Sequence, residues 1–123
     1  MIVIIAIIAI IVHLVYNYTE LLSKYIPKLR ISIPEARARR FQLILDVRTE
    51  KEREMLGYYP NSIPLPISNL NEIKGLTSNL NISILVYSNG DKMAEHAAYA
   101  LYNMGYHNVR YITSTYISLL PGR

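Results

Sequence analysis

A chain of 123 residues holds one folded domain, and once a membrane segment is set aside it has no room for two hydrophobic cores. With 51% hydrophobic and 18% charged residues it is not a disordered chain, which would be poor in apolar side chains and rich in charge. The absence of cysteine removes disulfides, thiolate metal sites and any cysteine nucleophile supplied by the chain itself; the net charge of +4 implies a partner only once it is located along the sequence.

The first predicted element is a membrane anchor. From Ile2 to Val12 every side chain is apolar, and after His13 the run continues through Leu14, Val15 and Tyr16 before Asn17, Tyr18, Thr19 and Glu20 end it. At 1.5 Å per residue this stretch spans about 22 Å, and adding Asn17 and Tyr18 brings it to the lower end of the spanning range. Tyr16, Tyr18 and Tyr25 gather where the run meets polar sequence, as an interfacial aromatic belt does. No basic segment precedes the run and no small-x-small cleavage site follows it, which argues for a retained anchor over residues 1–18 rather than a cleaved signal.

Residues 19–30 follow as a basic juxtamembrane linker. Between Asn17 and Arg40 stand Lys24, Lys28, Arg30, Arg37, Arg39 and Arg40 against Glu20 and Glu35, so the positive-inside rule turns the domain toward the cytoplasm. Membrane lipid is the expected partner of residues 2–18. Arg37, Arg39 and Arg40 either attract anionic headgroups or form an ordinary solvated helix face. With no aromatics interleaved among them, nothing favours nucleic acid.

Residues 31–123 alternate helix and strand. Ser32 with Glu35, and Pro34 between them, forms a capping box that starts a helix reaching about Arg40. Leu43 to Val47 is a short apolar run of strand length. A second box, Thr49 with Glu52, opens a charged helix through Lys51, Arg53 and Glu54 that Gly57 ends. Tyr59-Pro60-Asn61-Ser62 is a turn, and the prolines keep Ile63 to Ile67 extended. Residues 68–81 form a polar helix or loop with Leu70, Ile73, Leu76 and Leu80 at helical spacing. Ser83 to Tyr87 is a strand. Ala94, Ala97, Ala98, Leu101 and Met104 mark one apolar helix face that stops at Gly105, and Val109 to Ile112 is a last strand. The pattern predicts an α/β domain with a small parallel sheet and helices on both faces, preceded by one transmembrane helix. Sites in such sheets gather at the carboxyl ends of strands, which singles out Asp46 to Thr49 and Ser88 to Met93.

At these residues the sequence resembles the rhodanese-like domain family. ISIPEARARR (31–40) is similar to the family's opening Ile-Ser-x-x-Glu-Ala helix, LILDVRT (43–49) to its Asp-Val-Arg strand end, and GYYPNSIPLPI (57–67) to its Gly-His-x-Pro-Gly-Ala-Ile-x-Ile-Pro segment. VYSNGDKMAEHAAYALYNMGYHNV (86–109) is similar to the strand, active-site loop and helix that follow. The resemblance covers about Ile31 to Ile112. It implies that active members carry a persulfide on a cysteine at the end of the strand, wrapped by the amides of a six-residue loop. A gapless register on Ala97, Ala98 and Leu101 places Ser88 at that cysteine. The loop is then Ser88, Asn89, Gly90, Asp91, Lys92 and Met93, with Met93 where many relatives have arginine and Asp91 where glycine is usual. Tyr58 replaces the histidine of the Gly-His pair, the chain is one residue longer between Thr49 and Gly57, and Thr113-Ser114-Thr115 lacks the C-terminal Gly-Gly pair. Asp46 and Arg48, by the same resemblance, hold the strand end.

A hydroxyl lacks the low pKa and polarisable sulfur that sulfane transfer needs, so sulfurtransferase activity is not expected, nor is the cysteine-dependent phosphatase chemistry that shares the fold. A serine hydrolase would need a base near Ser88, but His96 lies about two helical turns on and His107 sits in the turn after Gly105. No metal and no cofactor is expected. Loop 88–93 either recognises a protein or anionic ligand through helix-start amides and Lys92, against the charge of Asp91, or persists for folding alone. The sequence thus predicts a membrane-anchored binding or regulatory module. The rivals are a thiosulfate sulfurtransferase-type enzyme, or a Cys-to-Ser form of one, and a structural membrane protein.

Overall fold

The computed structural model describes residues 1–25, 27–90 and 92–121, with 21–25 described by backbone only. The side chains of Lys24 and Tyr25, and all of Asp91, lie outside the described residues. The first helix, α1 (Ile2–Tyr25), is about 36 Å long at the usual rise. Ile2–Glu20 is long and apolar enough to cross a membrane, and no part of that stretch is buried. α1 continues well past residue 18, because nothing in residues 19–25 breaks a helix.

The domain that follows contains α2 (Ile33–Ala38), β1 (Leu43–Asp46), α3 (Glu50–Leu56), β2 (Ile63–Pro64), a 3₁₀ segment (Ile67–Glu72), α4 (Ile73–Leu76), β3 (Ile84–Tyr87), α5 (Met93–Asn103), β4 (Val109–Tyr111) and a last 3₁₀ turn (Tyr116–Leu119). All strand pairs are parallel, in the order β2-β1-β3-β4. β1 pairs with β3 over four residues, Leu43 with Ile84 through Asp46 with Tyr87. The chain leaves β1 toward one edge and β3 toward the other, so a topological switch point falls between their carboxyl ends.

Alternation along the strands divides the core. Leu43, Leu45, Ile84, Val86, Val109 and Tyr111 face α5 and the 67–76 segment, meeting Ala97, Ala98, Leu101, Leu70 and Ile73. Leu85 and Tyr87 face the other way, with Ile44, onto α2 and the last 3₁₀ turn through Ala36, Ile31 and Leu119. Small alanines on α5 let that helix lie close to the strands, and truncating a buried leucine such as Leu45 or Leu101 should cost about 2–5 kcal/mol.

Local signals act where the sequence places them, with two differences. Ser32 Oγ accepts the Glu35 amide at 3.3 Å, but α2 ends at Ala38 rather than near Arg40. In segment 68–81 only Leu70 and Ile73 reach the core; the helix stops at Leu76, leaving Leu76 and Leu80 exposed. Where the basic segment meets the domain, the Ile31 amide donates to the Tyr111 carbonyl and the Tyr111 amide to that of Leu29, each at 3.0 Å, so Leu29 to Ile31 covers the outer edge of β4.

The corner after α3 requires glycine. Gly57 has φ +79°, ψ 173°, and a Cβ there would lie 2.5 Å from the Tyr116 hydroxyl. Gly57→Ala is expected to destabilise the chain by about 2 kcal/mol in chemical denaturation. Adding Tyr116→Phe, which deletes the obstructing oxygen, should recover part of that loss, while the backbone strain persists.

Candidate functional site

The site is built around one carboxylate. Asp46 ends β1 and is wholly buried, which a lone negative charge could not tolerate. Arg48, two residues on, answers it with a two-pronged contact: Nε to Oδ1 at 2.8 Å and Nη2 to Oδ2 at 2.7 Å, while the Arg48 amide also donates to Oδ1 at 3.1 Å. Arg53, one turn into α3, adds Nη1 to Oδ2 at 3.1 Å. The Tyr87 hydroxyl, brought alongside by the β1–β3 register, donates to Oδ2 at 3.1 Å.

From Asp46 the network reaches three backbone segments. Arg53 donates to the Ser62 hydroxyl at 3.0 Å and to the Ser62 carbonyl at 2.8 Å, and its guanidinium lies 3.9 Å from the Tyr58 ring centre. The Tyr59 amide donates to the Tyr87 hydroxyl at 3.1 Å, and the Ser62 hydroxyl donates to the Tyr59 carbonyl at 2.6 Å. Arg48 Nη2 reaches the Gly57 carbonyl at 2.6 Å, and Nη1 reaches Asn89 Oδ1 at 3.2 Å. Asn89 in turn donates to Glu52, whose carboxylate also accepts the Thr49 amide and hydroxyl in the α3 capping box. One carboxylate therefore closes α3 and holds the loop after β3.

Burial alone would push the Asp46 carboxyl up. The hydrogen bonds from the Arg48 side chain and amide, the Arg48 charge and the Tyr87 hydroxyl outweigh it and hold the group below the usual carboxylate range. Burial pushes the Tyr87 hydroxyl above its ordinary value; the hydrogen bonds from Ser62 and Tyr59 oppose this, and the neighbouring Asp46 charge reinforces it.

The second part of the site is the loop. Ser88 follows β3 directly and is buried, while Lys92 is exposed and precedes the first turn of α5, which begins at Met93. Gly90 has φ +87°, and a Cβ there would come within 3.1 Å of the Thr113 carbonyl. Asp46, Arg48 and residues 88–90 thus meet at the switch point between β1 and β3, as the strand-end rule leads one to expect. His96 lies exposed on α5. His107 is exposed and stacks on Tyr102 with ring centres 4.3 Å apart. Among the described residues no cluster of three His, Asp or Glu side chains forms a metal site.

Sequence reasoning leaves out Glu52, Arg53, Ser62 and Tyr87 as members of this site. Tyr87 reads as a strand-end apolar residue and Arg53 as one charge on a polar helix. The available signal was the pairing of a strand-end Asp with a strand-end Tyr, since parallel neighbours at equal depth share a face.

The family model "Rhodanese-like domain" matches residues 33–116, and the chain belongs to the rhodanese-like domain family. Solved structures with this fold include a human single-domain sulfurtransferase, 21% identical, covering 79% of this chain and 99% of that one, with a TM-score of 0.63. The rhodanese-like domain of an Anabaena protein is 19% identical over 76% of this chain and 74% of its own, with a TM-score of 0.64. A single-domain sulfurtransferase of Saccharomyces cerevisiae is 15% identical over 76% of this chain and 89% of its own, with a TM-score of 0.58. No curated protein matches the chain.

Because the folded-state pKa of Asp46 is depressed, its pairing contributes stability that is fully present above the unfolded carboxylate value, about 3.9, and is lost as pH falls through the folded value. Denaturation midpoints should therefore fall as the medium is acidified from about pH 5 to pH 2. Asp46→Asn should lower stability at pH 7 by about 3–5 kcal/mol, by stranding Arg48 and Arg53, and should flatten that acid limb.

Proposed function

We propose that the chain is a membrane-anchored rhodanese-like module that transfers no sulfur and serves as a binding or regulatory domain, with α1 as its anchor and the domain facing the cytoplasm. One observation carries the loss of chemistry: the sequence has no cysteine, and Ser88, which the family resemblance aligns with the persulfide-bearing position, is a buried serine at the end of β3. Sulfur transfer needs a thiolate that attacks the donor and keeps its outer sulfur as a persulfide; an alcohol at neutral pH neither ionises to a useful extent nor holds sulfane sulfur.

The charge distribution favours binding over catalysis. Arg48 gives its donors to Asp46, Gly57 and Asn89, so its guanidinium is committed to holding the loop. Lys92 is the exposed loop cation that a protein or anionic ligand would meet. The anchor reading draws on the length and apolar character of Ile2–Glu20, and the orientation on the six basic residues between Asn17 and Arg40.

The unmodified chain is expected to consume no cyanide with thiosulfate above a heat-killed control. Ser88→Cys should take up labelled sulfane sulfur, and Ser88→Cys with Met93→Arg should take up more, because an arginine there supplies charge for an anionic donor. Turnover by the unmodified chain would overturn the proposal. For the anchor, the chain should stay in the membrane pellet after an alkaline carbonate wash. Trypsin added from the cytoplasmic side should cut at exposed Lys51; cleavage only from the opposite side would reverse the orientation.

A further inference from the structure

The surface of α1 is aliphatic in every direction but one. Between residues 2 and 17 the side chains other than Ile, Val and Leu are Ala6, Ala9, His13, Tyr16 and Asn17. At 100° per residue all five fall within an arc of about 100°. Glu20 extends the same arc, while Ile4, Ile8, Ile11 and Val15 lie opposite. The structure bears out the shared face: the Asn17 side-chain nitrogen lies 3.0 Å from His13 Nε2, and the Tyr16 hydroxyl donates to Glu20 at 3.1 Å. Every one of these side chains is exposed, and the described residues contain no second span to cover them.

In water such a face would be unremarked. Within hydrocarbon it cannot be, since polar groups without partners are costly there. The His13–Asn17 contact uses one group of each residue. It leaves the Asn17 carbonyl oxygen, its second N–H and the other imidazole nitrogen, all on the same arc. Ala6 and Ala9, toward the N-terminus, let two backbones come close along that line.

We infer that this face joins two copies of the chain as a parallel helix pair, with His13 and Asn17 hydrogen bonding across the two-fold axis and Ala6 and Ala9 at the closest approach. The inference rests on the membrane-anchor reading given above. A second copy is the occupant because the stripe complements itself. Asn17 presents both an acceptor and a donor, and His13, whose Nε2 accepts from Asn17, presents its Nδ1–H donor. The carbonyl oxygen of one Asn17 can therefore meet the Nδ1–H or N–H of the other copy, and two copies inserted in one orientation bring like residue opposite like.

The lack of native cysteine makes the test free of background. Single variants Ala6→Cys, Ala9→Cys, Ile4→Cys, Ile8→Cys and Ile11→Cys of the full chain, in native membranes, are oxidised with copper phenanthroline, and the products are read by non-reducing electrophoresis and mass spectrometry. Homodimer yield should be about fivefold higher at 6 and 9 than at 4, 8 and 11. In the Ala9→Cys background, His13→Leu with Asn17→Leu should lower that yield about threefold, consistent with modest interhelical hydrogen bonds, whereas Ile8→Leu should leave it unchanged. Equal yields around the helix, monomer at every position, or adducts to other proteins would overturn the pairing while carbonate-resistant chain in the pellet keeps the anchor. Loss of the chain to the carbonate supernatant would overturn the anchor, and the pairing with it.

Discussion

A buried charge has to be answered from within the fold, and Asp46 sets that demand on everything around it. Its carboxylate is fully enclosed, with Arg48 and Arg53 supplying the opposing charge. Those arginines, with Tyr87 as a third donor, tie β1 to α3, to β3 and to the 57–62 turn. Because Arg48 also holds Asn89, the loop after β3 is tied to the neutralisation of a strand-end charge some forty residues away in sequence. Breaking such a pair on one side leaves the other charge stranded, which costs more than the pair itself contributes. The neighbourhood is therefore fixed jointly, and no member of it can drift alone.

This arrangement also bears on the chemistry of the strand ends. A guanidinium with its donors turned toward a carboxylate, a carbonyl and an amide oxygen is internal scaffolding. The loop keeps the switch-point position that suits ligand contact in parallel sheets and the glycine geometry that lets it pass close to the Thr113 carbonyl. The scaffold around the loop is thus maintained in a chain that has no thiol to place there.

Most of the architecture was legible in the sequence because its signals are local. Thr49 and Glu52 form the reciprocal cap they promise, SILVY yields β3, and the alanines of α5 pack where their spacing puts them. What escaped depended on distant partners. Arg53 belongs to a charged helix by sequence and to a buried carboxylate by structure. Leu76 and Leu80 have helical spacing but no helix to carry them inward, since the chain turns at Thr77. Residues 29–31, Leu-Arg-Ile, are too short to read as a strand, and only the free edge of β4 gives them a place. At the site, Asp46, Arg48 and the loop position could be named in advance; the links through Tyr87, Ser62 and Glu52 could not, because they join residues as many as 41 positions apart.

The covered edge of β4 has a mechanical consequence. α1 ends at Tyr25, and the Pro27 carbonyl already accepts the Tyr99 hydroxyl at 2.9 Å, with Leu29 and Ile31 bonded to Tyr111 just beyond. Two residues of chain reach at most about 7 Å, so there is almost no slack between helix and domain. Helix and domain on so short a leash do not move independently, and any pull on the helix is delivered straight to the sheet edge through Tyr111.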